Sequence, residues 1–75
     1  MTEKLQWVLT ITEPNAAGRL IGRYASRDDA MLAGEKHFEN EMLRRNSDDD
    51  ELGWQMGMNG ATALSDIGIY RVTRK

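Results

Sequence analysis

One imidazole, one run of four acids and a scatter of glycines are the residues whose types could do chemistry in this 75-residue chain. His37 is the sole histidine and there is no cysteine, so the chain cannot assemble the four His or Cys ligands of a structural zinc site. A hydrolytic triad would need a matched nucleophile and acid around that imidazole, and no spacing in the sequence announces one. The plainer reading places His37 at the margin where a helix meets a sheet. Asp48-Asp49-Asp50-Glu51 can attract a divalent cation. An EF-hand loop, however, needs ligands at alternating positions, a glycine at its sharp turn and a distal glutamate, and the run has none of that arrangement. It reads as a solvated acidic loop, or as a surface for a basic partner.

Gly53, Gly57 and Gly60 fit neither phosphate-cradling pattern, and no lysine follows them. Glycines spaced along a strand more often mark a bulge or the close approach of another backbone. Trp7 and Trp54 would stack on bases only if they faced outward. Both alternate in phase with apolar neighbours, Trp7 with Leu9 and Ile11 and Trp54 with Met56, and the ribonucleoprotein strand signature is missing. No catalytic residue, no metal ligand set and no cofactor site is expected.

The elements that would position these residues follow from periodicity. Residues 4–12 alternate with period two, placing Leu5, Trp7, Leu9 and Ile11 on one face, which predicts a half-buried strand. Glu13-Pro14-Asn15-Ala16-Ala17-Gly18 is turn chemistry, and Arg19–Ala25 follows as a hairpin partner with Leu20, Gly22 and Tyr24 on one face and Arg19, Ile21 and Arg23 on the other. Ser26, with Asp29 three positions on, opens a helix by the logic of a capping box. That helix is expected to run to Arg44 or Arg45, with Ala30, Gly34, Phe38 and Met42 as its buried stripe at i, i+4 spacing. Leu52 to Met58 alternates again as a third strand, Asn59-Gly60-Ala61 reads as a turn, residues 63–66 are ambiguous, and Ile67–Thr73 forms a fourth strand. The expected core is Trp7, Leu9, Ile11, Phe38, Met42, Trp54 and Met56.

The fold class is therefore α+β: a ββαββ order, with an antiparallel sheet of about four strands and one helix packed on one face. Seventy-five residues allow one compact domain, residues 1–75. Hydrophobic residues at 40% and charged residues at 29% are ordinary for a globular chain, and no apolar run approaches the roughly 20 residues of a membrane span. The first residues lack the basic start and apolar stretch of a signal peptide, and a chain this short without disulfides is expected in the cytoplasm.

Charge is unevenly distributed. Ser26 to Glu51 carries four cations against nine carboxylates, and the rest carries six cations against three, which leaves an acidic middle and basic flanks within a net charge of −2. A sheet face opposite the helix, bearing Arg19, Ile21, Arg23, Gln55 and Arg71, together with the acidic Asp48, Asp49 and Asp50, forms the expected partner-binding set. Arginine mixed with branched apolar residues suits a recognition surface. The build is similar to that of many short accessory proteins of phages and mobile elements, including inhibitors of host defence complexes. The expectation is a non-enzymatic protein-binding module that acts by docking, as a monomer or homodimer and without a membrane. The alternative is a nucleic-acid-binding accessory using Arg19, Arg23, Arg71, Arg74 and Lys75.

Overall fold

The alternation of residues 4–12 becomes strand β1, Trp7–Thr12, and the turn after it is built as its composition requires. Asn15 takes the left-handed conformation at φ 64°, which asparagine tolerates, and the Ala16 amide donates to the Glu13 carbonyl at 3.2 Å. The chain returns as β2, Arg19–Tyr24. The computed structural model describes residues 5–45 and 52–74, so the acidic run Asp48–Glu51 lies outside the described residues.

Ser26 caps helix α1, Arg27–Arg44, and its hydroxyl accepts from the Asp29 amide at 3.1 Å. Asp28 and Asp29 sit at the positive end of the helix dipole and Arg44 at the negative end. Ala30, Gly34, Phe38 and Met42 form the buried stripe, as their spacing predicts. Gly34 eases a close approach: a Cβ there would lie 3.0 Å from Cζ2 of Trp54.

After the helix come β3, Trp54–Gly57, β4, Gly60–Ser65, and β5, Gly68–Arg74. The five strands form one antiparallel sheet in the order β2-β1-β5-β4-β3. The expected build of helix on antiparallel sheet is present. The fifth strand comes from the stretch beyond Asn59: the turn is Met58-Asn59, and Gly60 opens β4, with residues 63–65 inside it. A Cβ on Gly60 would run into the Val72 carbonyl, so glycine permits the strand to start this close to β5. Gly68, at φ 152°, begins β5 in a conformation that side-chain-bearing residues avoid, and the Ser65 hydroxyl donates to its carbonyl at 2.6 Å.

Helix α1 lies across β2, β1, β5 and the near side of β4. Leu9, Ile11, Tyr70, Val72, Ala61 and Ala63 rise from the sheet to meet its stripe, and Ile67 closes the end of the core. Trp7 and Trp54 are half-buried against this cluster. Met56, expected in the core, is 53% exposed. It has the correct side but the wrong strand, because β3 is the sheet's outer strand and projects past the helix.

Candidate functional site

No other described element covers the sheet face away from the helix, and the composition of that face is set by strand register. Pairing places Leu20, Thr10, Arg71, Thr62 and Gln55 in one cross-strand row. A second row runs Arg23, Val8, Thr73, Gly60 and Gly57, and a third runs Thr12, Ile69 and Leu64. Val8 is buried here although it is not part of the core under the helix. Leu20, Leu64 and Ile69 remain exposed at 53%, 69% and 38%. None of these rows contains a carboxylate or an aromatic ring.

Arg23, Gln55 and Arg71 stand on this face as the sequence implies, all exposed. Arg19 and Ile21 do not. The pairing of β1 with β2 slips between Leu9 and Thr10, so that Leu9 faces Gly22 but Thr10 faces Leu20, and Ile21 becomes an extra residue. A one-residue slip exchanges the faces of everything beyond it. Ile21 therefore packs half-buried against the core, Arg19 comes to the helix side opposite Ile11, and Leu20 is turned outward. Gly22, a glycine inside a strand, was the signal for this bulge. Leu64 was missed because the strand that carries it could not be told from a loop; Ile69 shares the parity of Arg71 on β5 and could have been found from it. Asp48, Asp49 and Asp50 lie outside the described residues.

Beside Arg71 the open face sinks into a shallow depression of about 350 Å³, bordered by Gln55, Thr62, Thr73 and Asn59. Gly57 and Gly60 keep its floor low, since neither adds a side chain. Arg71 has threonine on both flanking strands, Thr10 on β1 and Thr62 on β4. The ion pairs among the described residues, Arg19–Glu13 and Arg44–Glu41, are elsewhere.

The other polar grouping is on the helix side, around His37. Its Nδ1 lies 2.6 Å from the Tyr70 hydroxyl, and the two rings meet edge to face at 5.6 Å. Tyr70 is fully buried, and its hydroxyl is pushed up to about 12, chiefly by burial and further by the charges of Glu41 and Glu13, with Arg19 opposing. A phenol that holds its proton so firmly is a poor base and a poor nucleophile. The adjoining cleft, lined by Ile11, Glu13, Arg19, His37, Glu41, Arg45 and Ile67, has a volume of about 30 Å³. That admits a water molecule and nothing the size of a substrate. His37 thus sits at the helix–sheet margin, as its position in the sequence suggests, and it is tied to the core through Tyr70.

Among the described residues, no group of three or more His, Asp or Glu side chains is placed to hold a metal ion. No helix among them is long and apolar enough to cross a membrane. Both tryptophans belong to the helix side. Trp54 lies on Gly34 and beside Tyr70, with its buried Nε1 unpartnered among the described residues, while the Arg74 guanidinium sits 6.0 Å from the Trp7 ring centroid. No protein-family model matches the chain, and no curated protein or solved structure is significantly similar to it, so the case for function rests on the two faces of the sheet.

Proposed function

We propose that this protein is a non-enzymatic binding module that docks another protein on the open face of its sheet, acting by surface complementarity as a small inhibitor does. The observation that carries the reading is the composition of that face: exposed Leu20, Leu64 and Ile69 beside Arg23, Arg71 and neutral polar side chains, uncovered by any other described element. Arginine among apolar residues, with other charges depleted, is the composition of an interface centre. Scattered exposed leucines need no explanation. What supports the reading is that Leu20, Leu64 and Ile69 share one sheet face with a central arginine.

A nucleic-acid partner is the weaker reading. Of the cations that would serve it, Arg19 and Arg74 are engaged on the helix side, by Glu13 and by Trp7. Among the described residues the open face also offers no ring on which a base could stack. The test is capture from a lysate of cells that carry the protein naturally, with Leu64→Asp altering the sheet face and Leu43→Asp altering the exposed outer face of the helix. A protein retained by the parent and by Leu43→Asp, and lost with Leu64→Asp, is the expected result. Retention by both variants, or loss with Leu43→Asp alone, would refute sheet-face docking.

A further inference from the structure

The geometry points to a carboxylate, carried between apolar side chains of the partner protein, as the group that this face selects, with Arg71 as its anchor; the inference rests on the sheet-face reading above. Arg71 is at the centre of the face, on the middle strand of five. Its cross-strand neighbours are threonines, and among the described residues the face supplies no acid to neutralise it. A guanidinium presents a planar fork of donors that matches a carboxylate in two parallel hydrogen bonds. The depression beside it gives that carboxylate a place to sit, bordered by Gln55 and Thr62, whose amide and hydroxyl can donate to the same oxygens. Leu64 and Ile69, paired across β4 and β5 on the next row, offer the apolar contact that flanks it. Charge complementarity thus names the partner's chemistry: acidic at its centre, apolar at its border.

The same geometry disfavours a phosphate backbone as the occupant. The two arginines that the described residues place on the face would neutralise about two phosphates, giving a salt slope near −2 and weak binding at ordinary ionic strength. The depression is also one shallow dip beside Arg71, where a tracked strand would need a continuous basic groove.

The experiment is selection of displayed random peptides on the full chain, with the winners measured again on Arg71→Gln, Leu64→Asp and Leu43→Asp. The expected winners carry Asp or Glu between apolar residues, lose at least tenfold in affinity on Arg71→Gln, and bind Leu43→Asp as they bind the parent. Arg71→Gln should melt with the parent, because the side chain is exposed, so a lost signal is not a lost fold. Winners lost with Leu64→Asp but indifferent to Arg71→Gln overturn the carboxylate inference and leave sheet-face docking standing. Winners that depend on Leu43, or a selection that yields none, overturn both. Tight binding of oligo-dT or oligo-rU with a salt slope well beyond two also overturns both, in favour of nucleic acid.

Discussion

The Tyr70 hydroxyl and His37 Nδ1 lie 2.6 Å apart where the helix meets the sheet, and this pair links the fully buried phenol to the half-buried margin of the core. Titration of the buried phenol affects stability with a sign that can be worked out. The folded chain holds the Tyr70 proton up to about pH 12, whereas an unfolded tyrosine releases it near 10. Between those values the unfolded state binds fewer protons than the folded one, so stability falls as pH rises. The contribution is intact below pH 10 and is lost on the way to 12, up to about 2–3 kcal/mol for a shift of this size. Urea unfolding at pH 8, 10, 11 and 12 measures it. Tyr70→Phe should lose about 1 kcal/mol at pH 8 and show a flatter alkaline limb. A variant with the parent's slope would place the titration elsewhere.

The bulge in β2 makes a prediction opposite to simple alternation. Leu20→Lys should change stability by less than about 0.5 kcal/mol, because Leu20 is 53% exposed on the open face. Ile21→Lys should cost roughly 1–3 kcal/mol, because Ile21 packs against the core. Thermal melts of the two variants decide it, and equal costs would mean that the strands pair without the slip.

On the open face itself, depth separates two apolar residues that a sequence reading would treat alike. Val8 is 4% exposed and Leu64 is 69% exposed. Val8→Asp should destabilise the domain by about 2 kcal/mol or more, and Leu64→Asp hardly at all. Chemical denaturation midpoints test this, and they also establish that Leu64→Asp is a fair binding probe.

Gly34 sits where the helix presses on Trp54. Alanine would gain about 1 kcal/mol of helix propensity, offset by a Cβ 3.0 Å from the indole, so Gly34→Ala should fall within about 1 kcal/mol of the parent. Gly34→Leu has no such balance and should lose about 1–3 kcal/mol or more through overpacking. If leucine were tolerated as well as alanine, the helix would not lie this close to β3.

The cap makes the simplest test. Ser26→Ala should cost about 1 kcal/mol, and Ser26→Asp should restore most of it, since either oxygen can accept from the Asp29 amide. Helical ellipticity and the melting midpoint report both.

Elements written in local chemistry were legible from the chain alone. The alternation of β1, the serine that starts the helix and its small-residue stripe each depend on neighbours within a few positions, and each was read correctly. What escaped were properties of pairing. Whether Leu20 or Ile21 faces the helix depends on one slipped hydrogen-bond register that composition signals only through Gly22. Tyr70 and Val72 are buried because β5 is central, a fact about strand order that no local pattern contains. The candidate site was therefore half visible. Arg23, Gln55, Arg71 and Ile69 follow from parity, while Leu20 and Leu64 needed the assembled sheet.

The strand order also says when this molecule can fold. β5, which follows the other four strands in the chain, lies between β1 and the β3–β4 hairpin. Until Gly68–Arg74 is available, the β1–β2 and β3–β4 hairpins share no ladder, and the helix has only part of a floor on which to rest. Completion of the sheet thus waits for Gly68–Arg74 and proceeds by long-range closure, which slows it relative to a chain built from neighbouring contacts. A nascent or clipped chain lacking that strand would present two unpaired inner edges, the condition under which strands add to the wrong partner.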